Sequence, residues 1–596
     1  MSQETTLYHG GEILGLDHAN DIDEALLVRD QRIVNRGNLE DMRALSKGKA
    51  NEVDIQGGFL LPGIVDSHPH AMHFMAYRVA AVDLLDAQCF DDIVKAIQER
   101  AKYTPKGEWI VCTPIGEPHY FIRRDHTSLK ERRMPDRHVL DRAAPEHPVW
   151  VMAWGPRTPN ITAFNSLGLQ RLGIGPPIPD QVCSVLFEKD GAGLPTGILR
   201  GKVNNYYSDD PYWAALESQL PKLPTSGDIW ELSGIGGLQE INAMGVTGLY
   251  EAHAMMPPHV EAYRQIANKG LCTARVVASV ELSGYAFSTM NYSEDQVWEL
   301  FDYGLSRQNL EDGNFRVDGV TLSRGGPLSQ GYLRMYDPYV DAFGQMTRGK
   351  TFLSKAIEPK LIRKCLDNNI RLNMLLGGYR DGDEFLDSLR QAASVQEIAP
   401  LEWVLQHCYF TSPEQIREFK NYNFHITTSA SFVYGKSQRV ADKFPPSVCE
   451  DFIAMRRFVE SGLNLACGSD WGPDNPWRQI ALNETREDAA TGCHDLLPGK
   501  NAIDRLTSLH SFTRNGAKVM HWSDIGSLMQ GSMADFVVVD RNPLTASPED
   551  LSETKVLRTV VGGKAVFDAG ALQGGPMNIP TDAQTLIAES IRAGGT

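Results

Sequence analysis

The sequence predicts an α/β protein built on a (β/α)₈ barrel, with a small β-sandwich formed by both chain ends and an inserted subdomain. Three observations support this fold class. Apolar strand-like runs alternate with helical stretches through the body of the chain, short β segments recur at both ends, and one connection is far longer than a βα loop needs. We therefore divide the 596 residues into a barrel, a sandwich and an insertion.

Eight apolar runs in the body of the chain are predicted to be parallel strands. Helical patterns, such as the one at residues 359–366, separate most of them. Eight parallel strands with intervening helices predict a closed barrel and not an open sheet. The predicted strands are residues 64–66, 245–250, 274–278, 317–322, 370–375, 403–405, 424–427 and 463–466.

The remaining segments fall at the chain ends and inside the first βα connection. Short strands joined by turns near both termini predict one β-sandwich assembled from the two ends. The connection after the first barrel strand contains its own strand at residues 149–154, so we expect a subdomain that covers the barrel mouth. The predicted boundaries are 1–62 and 526–570 for the sandwich, 63–525 for the barrel, about 75–240 for the insertion and 571–596 for a tail.

Composition narrows the kinds of partner. The formal net charge is -17, so no basic surplus is available to neutralise nucleic acid or an anionic membrane. Nine cysteines without a CxxC pair predict reduced thiols in a cytosolic setting. The N-terminus has no signal-peptide pattern, and no apolar run approaches the roughly 20 residues that span a bilayer. We expect a cytoplasmic protein that acts on a small molecule, without nucleic-acid or membrane partners.

A histidine pair follows the first predicted strand. His68 and His70 lie in the segment Asp66-Ser67-His68-Pro69-His70. Alternate residues of an extended segment point the same way, so both imidazoles can reach one metal ion. A pair of surface histidines is the alternative. The apolar strand that leads into the pair favours metal ligation, because polar residues at the carboxyl ends of barrel strands are where chemistry is expected.

Two further candidates end the sixth and eighth predicted strands. His407 follows Leu405-Gln406, and Asp470 follows Gly468-Ser469. A carboxylate at Asp470 can bind the metal and take a proton from a water molecule, and His407 can serve as a ligand or a catalytic group. The alternatives are a histidine at the rim of the core and an aspartate that caps a helix. Because both face the histidine pair, we predict a shared catalytic site.

The second predicted strand also ends in an alternating pair. We expect Glu251 and His253 to aim at the barrel mouth, with Glu251 as an additional metal ligand and His253 in substrate binding. Either residue can also carry a proton, and a buried polar bond is the alternative. Glu117 and His119 are weaker candidates, and His73 is expected to face elsewhere.

Four aromatic residues near these positions suggest an apolar pocket. Such a pocket would favour a bulky or aromatic substrate, although each residue can equally be barrel packing. The residues are Trp154, Tyr409, Phe432 and Trp471, of which we assign Trp154 and Trp471 to substrate binding.

Together these segments resemble the amidohydrolase superfamily, most closely the amidohydrolase-3 branch that includes N-substituted formamide deformylases. The resemblance implies hydrolysis of an amide or related C–N bond by metal-activated water, and it suggests a homodimer. The matching segments span most of the chain: the run up to His70, residues 140–148, 165–169, 195–199, 468–471 and 526–528, and Ala534-Asp535.

The sequence departs from the pattern of this superfamily at three positions. Thr321 stands where many relatives have a metal-bridging lysine on strand four, and residues 372–378 lack the histidine of strand five. Asn160 replaces a histidine of the inserted subdomain, and we retain it as a substrate contact. We therefore expect one divalent ion, zinc, and not a binuclear site.

The working hypothesis is one zinc ion held by His68, His70 and Asp470, with help from His407 or Glu251. Asp470 takes the proton of the attacking water, while the metal and His407 stabilise the developing oxyanion. One alternative is a mononuclear deaminase, decarboxylase or isomerase. A second is a non-catalytic binding descendant, which the missing ligands of strands four and five suggest and the retained histidines and aspartate argue against.

Overall fold

A computed structural model describes most of the chain in three large sheets. One sheet contains strands from both chain ends, one lies in the inserted segment, and one forms the barrel. Tyr339–Val340 and Met346–Thr347 pair in a separate hairpin. The described residues are 4–116, 124–153, 159–203, 210–222, 227–284, 293–308, 310–352, 354–470 and 475–580.

The barrel consists of eight parallel strands whose order in space follows their order in the sequence. Each strand overlaps one of the eight predicted runs, so the predicted barrel is confirmed. A short strand, Glu311–Asp312, pairs antiparallel with the fourth. The barrel strands are β1 (Ile64–Asp66), β2 (Val246–Met255), β3 (Arg275–Glu281), β4 (Phe315–Ser323), β5 (Leu372–Leu376), β6 (Val404–His407), β7 (His425–Thr428) and β8 (Asn464–Cys467).

Hydrogen bonds join the carboxyl ends of β1 and β8, the two edges of the barrel sheet. The Ser67 N–H donates to the Cys467 carbonyl at 3.2 Å, and the Asp470 N–H donates to the His68 carbonyl at 2.8 Å. These bonds satisfy backbone groups that an open edge would leave unpaired. They also bring the histidine pair after β1 beside Asp470.

Helices follow the barrel strands and cover the outside of the barrel. The start of Pro413–Asn421 shows why the chain turns helical there: Ser412 caps the helix by accepting the Gln415 N–H, and proline occupies the first turn. The helices are α1 (Ala71–Ala80), α2 (Gly227–Ala243), α3 (Pro257–Asn268), α4 (Glu294–Arg307), α5 (Ile357–Asp367), α6 (Tyr379–Ala392), α7 (Pro413–Asn421), α8 (Ser431–Lys443), α9 (Met455–Glu460), α10 (Pro476–Thr485), α11 (Arg505–Ser511) and α12 (Arg514–Val519). Val395–Ile398 and Pro446–Cys449 are single turns.

The barrel strands are buried on both faces. Val65, Val277, Val404 and Ala466 belong to one buried cluster shared by β1, β3, β6 and β8, and a larger cluster lies between the strands and the helices. Strands covered on both faces read as nearly continuous apolar runs, which is why the sequence revealed them. The interior is therefore packed, and polar side chains collect at the strand ends.

Both chain ends contribute strands to one eight-stranded sheet, in which Phe536–Val539 pairs with Phe59–Pro62. A buried ion pair, Arg275 Nε to Asp535 Oδ2 at 2.9 Å, ties this sheet to β3. The other strands are Thr5–Leu14, Ile22–Arg29, Arg32–Gly37, Asn51–Asp54, Val556–Val561 and Lys564–Asp568. Two helices, Leu39–Ser46 and Pro548–Ser552, lie in the connections between these strands.

A six-stranded sheet with its own hydrophobic clusters lies between α1 and α2 in the chain. It contains Ile110–Cys112, Val149–Val151, Asn160–Phe164, Gln181–Val182, Val185–Lys189 and Pro195–Gly201, with helices Phe90–Ala101, Arg137–Ala143, Ser166–Arg171 and Pro211–Glu217. Over the part of the chain described here, no helix combines the length and the apolar character that crossing a bilayer demands.

Candidate metal centre

Predicted site residues meet where the barrel strands end. His68 and His70 follow β1, and His407 is the last residue of β6. Asp470 comes shortly after β8. The ligand atoms offered by His68, His70 and Asp470 all lie within 4.8 Å of one another, and the three side chains are buried. The barrel thus assembles one cluster from residues far apart in the sequence.

The Asp470 carboxylate lies between three imidazoles. Its Oδ1 is 3.5 Å from His70 Nε2 and 3.9 Å from His68 Nε2. Its Oδ2 is 3.6 Å from His407 Nε2. These separations are longer than a direct hydrogen bond and leave the carboxylate and the rings directed at a common point.

Several polar atoms of this cluster are buried without a protein partner. Within the described ranges, both ring nitrogens of His68, Nε2 of His407 and Oδ1 of Asp470 have no hydrogen-bond partner. Each such atom costs about 1–3 kcal/mol if nothing binds it. Imidazole nitrogens and a carboxylate oxygen are ligands that zinc accepts. The residues present therefore fit a divalent metal ion.

Burial also sets the protonation state that a metal requires. Burial lowers the pKa of His68, of His70 and of His407 well below the usual value for histidine. All three rings are consequently neutral near pH 7. A neutral imidazole is the form that donates a lone pair to a metal, so no proton has to leave these rings before an ion binds.

The backbone of the cluster is strained. His70, His407 and Asp470 have φ angles of 55°, 66° and 50°, in the left-handed region that residues other than glycine rarely adopt. Each such conformation costs on the order of 1–3 kcal/mol and persists only when the surrounding structure enforces it. These left-handed backbone conformations occur where the three side chains approach one another, at the ends of their strands.

Asp66 ties the ends of β1 and β8 together and so positions the cluster. Its Oδ1 accepts the backbone N–H of His68 at 3.0 Å and of Ser469 at 3.1 Å, and its Oδ2 accepts the Ser469 hydroxyl at 2.6 Å. At Gly468 an added Cβ would lie 2.5 Å from the His68 nitrogen, so this close approach requires glycine. Asp66 therefore fixes His68 beside Asp470.

His253 is a fourth imidazole in the cluster. Its ring centroid lies 5.5 Å from that of His68 and 5.3 Å from that of His70. Its Nδ1 lies 2.8 Å from Glu281 Oε2, and Glu281 Oε1 accepts the Ser283 N–H at 3.1 Å. A carboxylate on Nδ1 fixes the tautomer and leaves Nε2 as the basic nitrogen, an arrangement common behind metal-binding histidines.

Sequence reasoning missed Glu281. It is the last residue of β3, and an acidic residue at the end of a barrel strand was the available signal.

Glu251 does not join the cluster. The Tyr263 hydroxyl of α3 donates to its Oε1 at 2.8 Å, and burial raises the pKa of Glu251 to about 7. The pairing register of β2 with β3 shifts between Glu251 and Met255, and Ala254 has a φ of 61°. This irregularity breaks the alternation on which the prediction relied. The expectation that Glu251 and His253 face the same way is thus wrong: Glu251 faces α3.

Polar side chains inside β2, β3, β4 and β5 bond one another. The Tyr250 hydroxyl donates to Asn373 Oδ1 at 2.8 Å, and Asn373 Nδ2 donates to the Ser279 hydroxyl at 2.8 Å. The hydroxyls of Ser279 and Thr321 are 2.8 Å apart, and Thr321 donates to the Ala252 carbonyl. The polar side-chain atoms of Thr321 and Asn373 are therefore hydrogen-bonded to protein groups.

Aromatic side chains line one side of the cluster. The Tyr409 ring stacks on His407 with centroids 5.2 Å apart, and the Phe432 ring meets His407 edge-on at 5.1 Å. Lys436 of α8 places its Nζ 3.1 Å from the Tyr409 hydroxyl. Lys436 was also missed, because one lysine in a helical stretch carries no signal of burial.

Three kinds of position hold the other candidates: beside the cluster, in the inserted sheet, and outside the described residues. His73 of α1 lies between His70 and His259, with ring centroids 5.6 Å and 4.6 Å away, so its ring adjoins the cluster. Asn160 opens a strand of the inserted sheet, and its Oδ1 accepts the Ile161 N–H at 2.9 Å. The predicted candidates that fall outside the described residues are Glu117, His119, Trp154 and Trp471.

The sequence model of the amidohydrolase family matches residues 51–567, and the chain belongs to this family. An N-substituted formamide deformylase of Arthrobacter pascens is 23% identical over 575 residues, which cover 92% of this chain and 95% of that protein.

Solved structures share the fold at lower identity. An uncharacterized metal-dependent hydrolase from Pyrococcus horikoshii OT3 superposes with a TM-score of 0.67 at 17% identity, over 92% of this chain and 99% of that chain. Atrazine chlorohydrolase TrzN from Arthrobacter aurescens TC1, solved in complex with zinc, gives a TM-score of 0.52 at 14% identity, over 99% of this chain and 100% of that chain. These likenesses establish the barrel architecture.

Proposed function

We propose that this protein hydrolyses an amide or related C–N bond of a small, apolar or aromatic substrate with metal-activated water. The observation that carries the proposal is the buried group of unsatisfied ligand atoms on His68, His407 and Asp470. Its position at the carboxyl ends of barrel strands is where this fold performs chemistry. The relationship to an N-substituted formamide deformylase supports the C–N bond as the target.

His68, His70 and Asp470 would hold a single divalent ion, with His253 in reach and oriented by Glu281. We propose zinc, because neutral imidazoles and a carboxylate are its usual ligands and because TrzN was solved with zinc. We propose one ion because Thr321 and Asn373 already bind protein groups.

The chain's own residues divide the remaining work. A divalent ion bound there supplies Lewis-acid chemistry, acidifying water and polarising a carbonyl. Asp470 accepts the proton of the attacking water and delivers it to the leaving nitrogen. His407, 3.6 Å from Asp470, stands on the other side of the carboxylate, where its Nε2 stabilises the oxyanion that develops on the carbonyl. Tyr409 and Phe432 exclude water from that side.

The test combines metal analysis with a panel of neutral substrates. Purified protein should contain about one equivalent of zinc, or take up one when zinc is added, and should hydrolyse members of a panel of N-substituted formamides, N-acyl amines, ureas and lactams. Asp470→Asn serves as the matched inactive control. Metal-loaded protein that leaves the whole panel intact would contradict C–N bond hydrolysis, and protein that takes up no divalent ion would contradict the metal centre.

A cytoplasmic location, a homodimer and a small-molecule substrate without nucleic-acid or membrane partners form part of the same proposal. The acidic composition supports the exclusion of nucleic acid, because the net charge is -17. Sedimentation of the purified protein tests the oligomeric state directly.

A further inference from the structure

Gln406 carries a buried amide near the carboxyl end of β6. It is the residue before His407, and its side chain is fully buried. Its Nε2 donates to the Ala252 carbonyl of β2 at 3.0 Å. Because β2 and β6 are not neighbours in the barrel sheet, this amide crosses the barrel interior. Its Oε1 is also buried, and it has no hydrogen-bond partner among the described residues.

Neighbouring contacts place the Gln406 amide beside His68. Gln406 is paired with Thr427 of β7, and the Thr427 hydroxyl lies 2.6 Å from that of Ser67. Ser67 directly precedes His68, whose ring centroid is 4.9 Å from that of His407. Burial lowers the pKa of His68 well below its usual value, and the Gln406 side chain opposes that effect. The amide and the imidazole therefore interact.

A metal-bound His68 would need a hydrogen-bond acceptor. A neutral imidazole has one lone pair and one N–H. If an ion takes the lone pair, the N–H remains on a ring that is only 4% exposed, where an unpaired donor is costly. Among the described residues, Asp470 Oδ1 also lacks a hydrogen-bond partner and lies near His68, but Asp470 belongs to the ligand set. Gln406 Oε1 is the acceptor that remains beside the ring.

We propose that Gln406 is a positioning residue, whose Oε1 accepts the N–H of the His68 ring so that the other ring nitrogen turns to the divalent ion. The Ala252 carbonyl orients the amide, because only the Nε2 end can donate to it. Glu281 holds His253 in the same way with a carboxylate. Gln406 differs because it fixes the tautomer without a negative charge. This inference rests on the metal centre of the proposed function but not on the reaction.

Zinc affinity of the full-length protein, measured by competition with a chelator, tests this assignment in three variants. Gln406→Met keeps the length of the side chain and removes both the donor and the acceptor. Gln406→Glu keeps an acceptor oxygen. Asn373→Leu is the matched control, because it removes another buried amide from the barrel strands, one that bonds Tyr250 and Ser279.

Gln406→Met should weaken zinc binding by about 10- to 100-fold, the range for loss of a group that orients a metal ligand. Gln406→Glu should bind zinc at least as tightly as the wild type, because its carboxylate also accepts the N–H. Asn373→Leu should keep the wild-type affinity. Wild-type affinity in folded Gln406→Met would overturn the inference. Equal losses in Gln406→Met and Gln406→Glu would also overturn it, because the bond to Ala252 would then explain the effect.

The visible absorption of cobalt-substituted protein reports the ligand geometry directly. The bands should shift in Gln406→Met, because the His68 ring is no longer held. They should stay at the wild-type position in Gln406→Glu and in Asn373→Leu. Unshifted bands in Gln406→Met would contradict a positioning role, whatever the stability of that variant.

A crystal structure of the zinc-loaded wild type tests the same bond even if Gln406→Met does not fold. Gln406 Oε1 should lie about 2.7–3.2 Å from the His68 ring nitrogen that does not face the ion, the range of a hydrogen bond. An oxygen outside that range, or one that bonds a different group, would overturn the inference.

Zinc binding and turnover separate this inference from the proposed reaction. Zinc affinity that depends on Gln406, in protein that hydrolyses no member of the substrate panel, would reject the hydrolase and keep the positioning role. Hydrolysis by Gln406→Met with wild-type zinc affinity would reject the positioning role and keep the hydrolase. Wild-type protein that takes up no divalent ion would reject the metal centre and this inference together.

Discussion

Two parts of the barrel are built from the same kind of strand but satisfy their polar groups differently. At the ends of β1, β6 and β8, the ring nitrogens of His68, Nε2 of His407 and Oδ1 of Asp470 are buried without a hydrogen-bond partner among the described residues, and the backbone adopts left-handed angles. Inside the barrel strands, Thr321 of β4 and Asn373 of β5 complete a chain of hydrogen bonds with Tyr250 and Ser279. The first group is called the open arc below, and this chain of four residues is called the closed arc.

The difference between unsatisfied and hydrogen-bonded polar groups indicates which part of the barrel can bind a ligand. Buried polar groups in proteins are nearly always hydrogen-bonded, so an unsatisfied group marks either a cost or a binding site. The closed arc has no such need, because its donors and acceptors meet one another. The divalent ion of the proposed function would satisfy the ligand atoms of the open arc, whereas the closed arc offers no unsatisfied atom to a second ion. Substitutions in the two arcs should therefore affect different properties.

The largest effect is expected for His68→Ala in the open arc. Loss of an imidazole from a cluster whose ligand atoms lie within 4.8 Å should abolish zinc binding, because too few ligands remain for a tetrahedral site. Metal content measured by mass spectrometry and activity should both fall to background. A variant that keeps a full equivalent of zinc would show that the ion, if bound, lies elsewhere.

Asp470→Asn should be nearly as severe for turnover but milder for the metal. The amide preserves shape and loses basicity, so kcat should fall by roughly 10²- to 10⁴-fold, the range for removal of a general base. Much of the zinc should remain, and the melting temperature should stay close to that of the wild type. Activity near the wild-type level would exclude Asp470 as the base.

A third comparison uses two buried glutamates on neighbouring strands. Glu281→Gln removes the carboxylate that holds His253, and zinc affinity should fall by about 10- to 100-fold. Glu251→Gln is the comparison variant, because the Glu251 carboxylate bonds Tyr263 and the backbone of Ala71 and Met72, and Gln keeps an oxygen for these donors. Competition with a chelator measures both affinities. Equal losses in the two variants would mean that His253 does not contact the ion.

Glu251 should instead determine how stability depends on pH. Burial raises its pKa to about 7, above the roughly 4.3 expected in the unfolded chain, so the folded state binds the proton more tightly. The contribution of Glu251 to the free energy of unfolding is therefore present below about pH 4.3 and is lost as pH rises to 7, by on the order of 3 kcal/mol. Glu251→Gln should lack this decline.

Denaturant unfolding of wild type and Glu251→Gln between pH 5 and pH 8 tests this sign. The wild type should lose stability relative to the variant as pH rises. A parallel pH dependence of the two proteins would show that Glu251 does not titrate in that window.

The smallest effect is expected in the closed arc. Thr321→Val removes one hydroxyl that donates to the Ala252 carbonyl and contacts Ser279, so the free energy of unfolding should fall by about 1–2 kcal/mol. Zinc affinity and KM should not change, because Thr321 does not face the ion. Loss of zinc in Thr321→Val would erase the distinction between the two arcs.

Much of this site was visible in the sequence because its residues follow strands with strong signals. The apolar runs before His68, His407 and Asp470 located the strand ends, and chemistry in a barrel collects there. The prediction that Glu251 faces the same way as His253 was wrong for a local reason. A register shift after Glu251 interrupts the alternation, and such irregularities have no reliable sequence signature. Glu281 and Lys436 were missed because their importance lies in contacts with residues distant in the chain.

The sequence by itself determined the barrel, the strands at both ends and the identity of the residues that end β1, β6 and β8, since apolar periodicity and residue type are local properties. Tertiary structure decided the rest. It determined that Glu281 holds His253 and that Lys436 is buried against Tyr409. It also determined that Thr321 and Asn373 both hydrogen-bond to Ser279. Those outcomes depend on burial and on which groups approach within hydrogen-bond distance, and only the closed barrel fixes both.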